Sequence, residues 1–246
     1  MPRTLNRQLG NVGNLGDIIK HAALVELAGL LAGGRADVSF VDTHTFQLQA
    51  PLPDRARWDR EVDALTALHP DYERYATLER AALGRNGTYR CSSGLVLDAL
   101  RDRRACAVLG EANSASRAEL SAQVAAERFA DVLVVDDAAR VDDAARVPGQ
   151  GSLLVHVDPF RLSAELWSRI APALSAMSGR SANAVFVLYR YSRNARAPWP
   201  DAPAGTSGPI TETRGGPHEV AAYASPDIAE AVRSVCAALG WAPRAD

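Results

Sequence analysis

Apolar and polar positions alternate along this chain in two rhythms. From Asp17 to Leu31, the residues Ile18, Ile19, Ala22, Leu24, Val25, Leu27, Leu30 and Leu31 recur mostly at helical spacing, and Gly33-Gly34 marks the stop. VSFVDTH (38–44) then reads as a short buried strand closing in polar residues. The order repeats downstream. ACAVLGE (105–111) is a strand, SASRAELSAQVAAERF (114–129) a helix and DVLVVDD (131–137) a strand. GSLLVHVDPF (151–160) is a further strand, LSAELWSRIAPALSAM (162–177) a helix, NAVFVLYRY (183–191) a strand and PDIAEAVRSVCAALG (226–240) a late helix. Strands that are apolar throughout need cover on both faces, so the pattern predicts an α/β fold around a mostly parallel sheet.

Two stretches break the rhythm. Residues from about 51 to 88 are helical and charged (DRARWDREVDALTALH, DYERYATLERAALG), which predicts an inserted helical pair after the first strand. SSGLVLDALRDRR follows as a helix opened by serine capping. The Pro/Gly-rich segment at about 194–217 predicts an exposed loop or hairpin, with a mobile lid as an alternative. The twin hexamers of DDAARVDDAARV (136–147) are too short for a solenoid and imply no chemistry.

Composition narrows the class. A chain of 246 residues, 47% hydrophobic, builds one substantial core, so 1–246 is read as a single domain. A formal charge of −2 is a poor footprint for gripping nucleic acid, although a local basic patch stays compatible with it. Cys91, Cys106 and Cys236 are odd in number and lack metal-ligand spacing, so reduced thiols and no metal are expected. No apolar run reaches membrane-spanning length and no signal peptide is legible, so the expectation is a soluble, cytoplasmic protein.

One residue stands out. Of 27 basic residues, 26 are Arg and the only Lys is Lys20, followed by His21 in GNLGDIIKHAAL (13–24). Lys and Arg are not interchangeable where a compact point charge must fit a small site. A solvated surface lysine is the competing reading. In open parallel sheets, ligands sit beyond the carboxyl ends of the strands, here His44, Glu111, Asp136 or Asp137, and Asp158. Glu111 has the placement of an acid that takes ribose hydroxyls, and a solvated strand-end carboxylate is the alternative. Asp42 and His44, two apart, are expected to face the same way.

GNLGDIIKH, a strand ending in DTH, a helical insertion, YRCSSG, GE and a strand ending in DPF occur in this order. The set resembles the RlmJ-like family of bacterial methyltransferases, which methylate the exocyclic amine of an adenine in large-subunit ribosomal RNA. The likeness runs from about residue 6 to 192. It implies a class I S-adenosylmethionine (SAM) methyltransferase fold, Rossmann-like, with SAM as cofactor or substrate. It further implies that Lys20, His21 and His44 line the SAM pocket, and that Ser92 lies near the methionine end. Glu111 would take the ribose, Asp137 the adenine, and Asp158 would be catalytic. Lys20 would then face the methionyl carboxylate.

The departures redirect the reading. Where the family has a glycine-rich turn after DTH, this chain has TFQL (45–48), and Phe46 must reshape that wall. Instead of D-P-P-Y, which orients an amine and stacks a flipped base, the chain has Asp158-Pro159-Phe160-Arg161. A Tyr and a His tied to substrate RNA are replaced by Asn6 and Gln8. The expectation is therefore a SAM-dependent enzyme with a small-molecule partner, RNA being disfavoured. The preferred reaction is attack of SAM's α-amine on its own γ-carbon, giving azetidine-2-carboxylate and 5′-methylthioadenosine. Asp158 would hold the amine, Lys20 or His21 the carboxylate, and Phe46 or Phe160 the sulfonium. The alternatives are N-methyl transfer to rRNA adenine or a small amine, and a catalytically dead SAM-binding relative.

Overall fold

The computed structural model describes residues 9–34, 37–103, 105–129, 131–136, 151–159, 162–191 and 198–244. Its first helix, α1 (Leu15–Ala32), starts where the sequence supplies a cap. Asn14 takes an extended conformation and its side chain accepts from the Asp17 N–H at 3.1 Å. The helix is buried nearly all round, because it runs across the sheet with other helices on its outer side.

The sheet consists of β1 (Val38–Asp42), β4 (Ala105–Gly110), β5 (Val132–Val135), β6 (Ser152–Val157), β7 (Asn183–Tyr191), β8 (Ser207–Gly215), β9 (His218–Ala224) and β10 (Ala242–Pro243). Their order is β5-β4-β1-β6-β7-β9-β8-β10. The first five in that order pair in parallel, and β9 slots antiparallel between β7 and β8. Consecutive strand residues feed opposite faces. Phe40, Leu154 and Val187 join the core under α1, α4 (Ser92–Ala99) and α7 (Ala229–Ala238). Val41, Val155 and Phe186 join a second core with Trp167, Ile170 and Leu174 of α6 (Ala164–Ser178). Helix α5 (Ser114–Glu127) completes the set between β4 and β5.

Between β1 and α4 the chain makes a small hairpin, β2 (Gln49–Ala50) with β3 (Tyr89–Arg90), enclosing α2 (Arg55–Leu68) and α3 (Tyr72–Asn86). These helices are amphipathic, and their buried stripe is aromatic. Trp58 Nε1 donates to the Tyr75 hydroxyl at 3.0 Å, that hydroxyl lies 2.9 Å from Tyr89 Oη, and Tyr89 Oη lies 3.0 Å from His21 Nδ1.

Several sequence readings need correction. Strand β1 ends at Asp42, so His44 sits in the following turn rather than on a strand face shared with Asp42. Helix α4 is capped by the backbone of Cys91 without a side-chain bond; the neighbouring serines are drawn instead to Asp42. Of the loop, hairpin or lid expected at about 194–217, the hairpin is what stands from Ser207 onward, and its second strand, β9, goes unassigned in the sequence reading. The duplicated hexamers beyond residue 136 lie outside the described residues.

Candidate active site

Asp158 follows the last residue of β6 and points to the α1 side of the sheet, where Lys20 rises from the second turn of the helix. The Lys20 ammonium is in close contact with Asp158 Oδ2 and lies 2.8 Å from Asp17 Oδ1, one helical turn away. It also lies 4.6 Å from the centre of the Tyr189 ring on the neighbouring strand β7. Lys20 is only 6% exposed, which removes the solvated-lysine reading. Burial works against its charge, but Asp158 and Asp17 outweigh it and hold the ammonium above the ordinary lysine range. Asp17 is half-buried, and although desolvation pushes its carboxyl up, Lys20 keeps it below the usual value. The motif is built around this clamp. Asp17 Oδ2 also accepts from the Gly13 N–H at 2.9 Å, and Gly16 is free of a Cβ that would run into the His218 ring.

Asp42, at the end of β1, is fully buried. It accepts from Ser93 Oγ at 2.6 Å, Ser92 Oγ at 3.3 Å and the His44 N–H at 3.2 Å. Burial raises its pKa, but His156 and these donors prevail and bring it down to about 2. His44 itself is half-buried, its Nδ1 2.7 Å from Thr43 Oγ1. Ser92 and His44 are thus joined through Asp42. Glu111 stands beyond β4, half-buried, with Oε1 accepting the Asn113 N–H at 2.7 Å. Burial raises its pKa. A carboxylate in this place can accept two hydroxyls, so Glu111 fits the ribose of a nucleoside.

The TFQL wall is tied down by the protein itself. The Thr45 N–H donates to Gly110 O at 2.7 Å, and the N–H groups of Leu48 and Gln49 both reach Gln123 Oε1, at 2.8 and 3.3 Å. Backbone groups of this turn are therefore spent on β4 and α5, and Phe46 and Gln47 remain half-buried above them.

His21 turns away from this cluster. Its ring stacks on Tyr89 with centroids 5.8 Å apart, and burial brings its pKa down to about 3. Asp137 and Phe160 lie outside the described residues. Sequence reasoning missed Asp17, His156 and Tyr189, and did not commit to Asp42. Two of these carried a signal: Asp17 stands three before Lys20 on one helix face, and His156 two before Asp158 on one strand face.

No family model matches the sequence, and no curated protein is significantly similar to it. Among solved structures, a Legionella pneumophila protein of the family described as DUF519 superposes with a TM-score of 0.61 at 14% identity, covering 93% of this chain and 94% of its own. A putative methyltransferase of Escherichia coli reaches 0.45 at 17% identity, covering 82% and 85%. The magnesium protoporphyrin IX methyltransferase of Synechocystis, solved with bound SAM, reaches 0.43 at 9%, covering 89% and 91%. At such identities the likeness is one of fold. The strand order, with one antiparallel strand slotted beside the last parallel one, makes that fold the class I SAM-methyltransferase fold. Among the described residues no helix is long and apolar enough to cross a membrane.

Proposed function

We propose that this protein is a SAM-dependent enzyme that joins a carbon of the sulfonium to an amine nitrogen of a small molecule. The observation that carries the reading is the acidic, clamped character of the strand ends. Asp42, Glu111 and Asp158 stand there, with Asp17 from the first turn of α1, against the Lys20 ammonium and the Arg117 guanidinium, whose Nη1 donates to the Glu111 carbonyl at 2.8 Å. Such a site attracts a cationic ligand and repels a polyanion, because phosphate binding draws on surplus Lys and Arg. Glu111 is suited to the ribose, and Asp158 to an amine N–H.

The specific reaction we assign is internal. Once the α-ammonium has lost a proton to water, the nitrogen lone pair attacks the γ-carbon. The carbon–sulfur bond breaks onto sulfur, giving azetidine-2-carboxylate and neutral 5′-methylthioadenosine. No second substrate is needed. Asp158 orients the amine by accepting its N–H, and the pinned TFQL wall holds the methionyl chain folded towards attack. Phe46 stands on that wall, where a ring can face the sulfonium. Lys20 contributes by fixing Asp158, with its third N–H left for the methionyl carboxylate.

The test is mass spectrometry of the purified protein with SAM alone. Methylthioadenosine appearing with a cyclic four-carbon amino acid supports the internal reaction. Intact SAM, followed by S-adenosylhomocysteine only when a small amine is supplied, replaces it with methyl transfer. S-adenosylhomocysteine produced only with ribosomal RNA overturns the small-molecule reading. No turnover under any condition leaves a binding protein.

A further inference from the structure

His156 occupies a place where a parallel strand ordinarily carries a branched apolar residue. It lies in β6 with no exposed surface, on the α1 face shared with Leu154, and its register partner on β1 is Asp42. Neither ring nitrogen has a well-formed hydrogen bond. A buried polar group left in that condition costs stability that Leu or Val would not, so its presence calls for a reason. The geometry supplies one. Nδ1 lies 3.3 Å from Asp42 Oδ2, and Nε2 lies 3.9 Å from Asp158 Oδ2.

Asp42 is fixed by two serine hydroxyls and a backbone N–H, so it is a rigid anchor for one side of the imidazole. On the other side, Lys20 and His156 address the same oxygen of Asp158, Oδ2. That leaves Oδ1 to turn outward. A gap of 3.9 Å is longer than a hydrogen bond, but such contacts commonly tighten once substrate is bound.

We propose that His156 is a positioning residue, holding Asp158 through an Asp42–His156–Asp158 chain so that Oδ1 presents to the amine nitrogen. This rests on the function proposed above. The charged and titratable groups set against the imidazole are Asp42 from β1, Asp158 beyond its own strand and His21 from α1.

The experiment compares full-length wild type with His156→Leu, His156→Gln and His156→Asn. It measures kcat and KM for SAM across pH 5–9, with SAM affinity by calorimetry. Gln reproduces a donor near Nε2, whereas Asn reproduces one near Nδ1. The expected result is a kcat lowered roughly 10- to 100-fold in the Leu variant, the scale of one charge-assisted hydrogen bond, with KM and SAM affinity unchanged. Gln should recover part of kcat and Asn less, with KM unchanged in both. Wild-type kcat in the Leu variant overturns the inference. So does an equal loss of kcat and SAM affinity in the Gln and Asn variants, the mark of mere structural damage. Should the Leu variant fail to fold, the Gln–Asn split alone decides. Wild type inert towards SAM overturns the proposed function itself, and this inference falls with it.

Discussion

A single ammonium among 26 guanidinium groups is explained by its neighbours. Lys20 sits where two carboxylates and a phenol ring leave room for a compact cation, and a planar guanidinium cannot meet both acids within that space. Lys20→Arg should therefore fold but lose most turnover in the SAM assay. Lys20→Met leaves the half-buried Asp17 and Asp158 without their shared cation and should cost about 1–3 kcal/mol in urea unfolding. His21 makes a pH prediction of opposite character. Its folded-state pKa of about 3 lies below the unfolded value of 6.5 because burial disfavours the charged ring. Below pH 6.5 the unfolded chain binds a proton that the folded one refuses, so stability falls as pH drops towards 3, by up to roughly 1.4 kcal/mol per pH unit from this residue. Asp42, with a folded value of about 2, contributes stability that is lost only at lower pH, and His218 shares the upper window more weakly because it is partly exposed. Unfolding at pH 4.5, 5.5 and 6.5 should show a slope that His21→Gln flattens.

At the scale of elements, the GNLGDIIKH stretch is a helix start fitted against two distant pieces of chain. Gly13 has φ of 75° and Leu52 packs where its Cβ would be, while Gly16 gives room to the first residue of β9. Gly16→Ala puts a methyl group into the His218 ring and should cost about 1–3 kcal/mol. His218→Ala should relieve most of that cost, so a double-mutant cycle by urea unfolding will be far from additive. These elements were legible in different degrees. The parallel strands announced themselves because they are apolar on both faces. β9 did not: HEVAAYA owes its strand to the neighbours on each side rather than to alanines of low β-propensity, whereas SGPITETRG fell within the expected loop or hairpin without being resolved as a strand. The clamp was half legible, since Lys20 and Asp158 each stood out, but their contact joins residues 138 positions apart. The pairing of Asp42 with His156 across β1 and β6 depended on register, which apolar strands leave unspecified in the sequence.

For the molecule as a whole, the inserted helices are structural members of the core. Trp58, Tyr75 and Tyr89 are buried against α1, and Tyr72 Oη reaches Leu239 O at 3.4 Å beyond the last helix. Removal of residues 51–88 should abolish cooperative unfolding rather than yield a trimmed domain, which circular dichroism during a urea titration will show. The acidic strand ends make a second prediction at this scale. A ribosomal RNA fragment should bind weakly at 150 mM salt in a filter assay, and tight binding with a steep salt slope would contradict the charge distribution. The hydroxyl chain from Trp58 through Tyr75 and Tyr89 to His21 has an optical consequence. Its indole is sealed from water at one end of a line that finishes at α1, so it should emit towards the blue. If α2 lifts away, that component should shift red, and subtracting the spectrum of Trp58→Phe isolates it from the other three tryptophans. The protein thus carries an intrinsic fluorophore that reports, without any label, whether the insertion is seated.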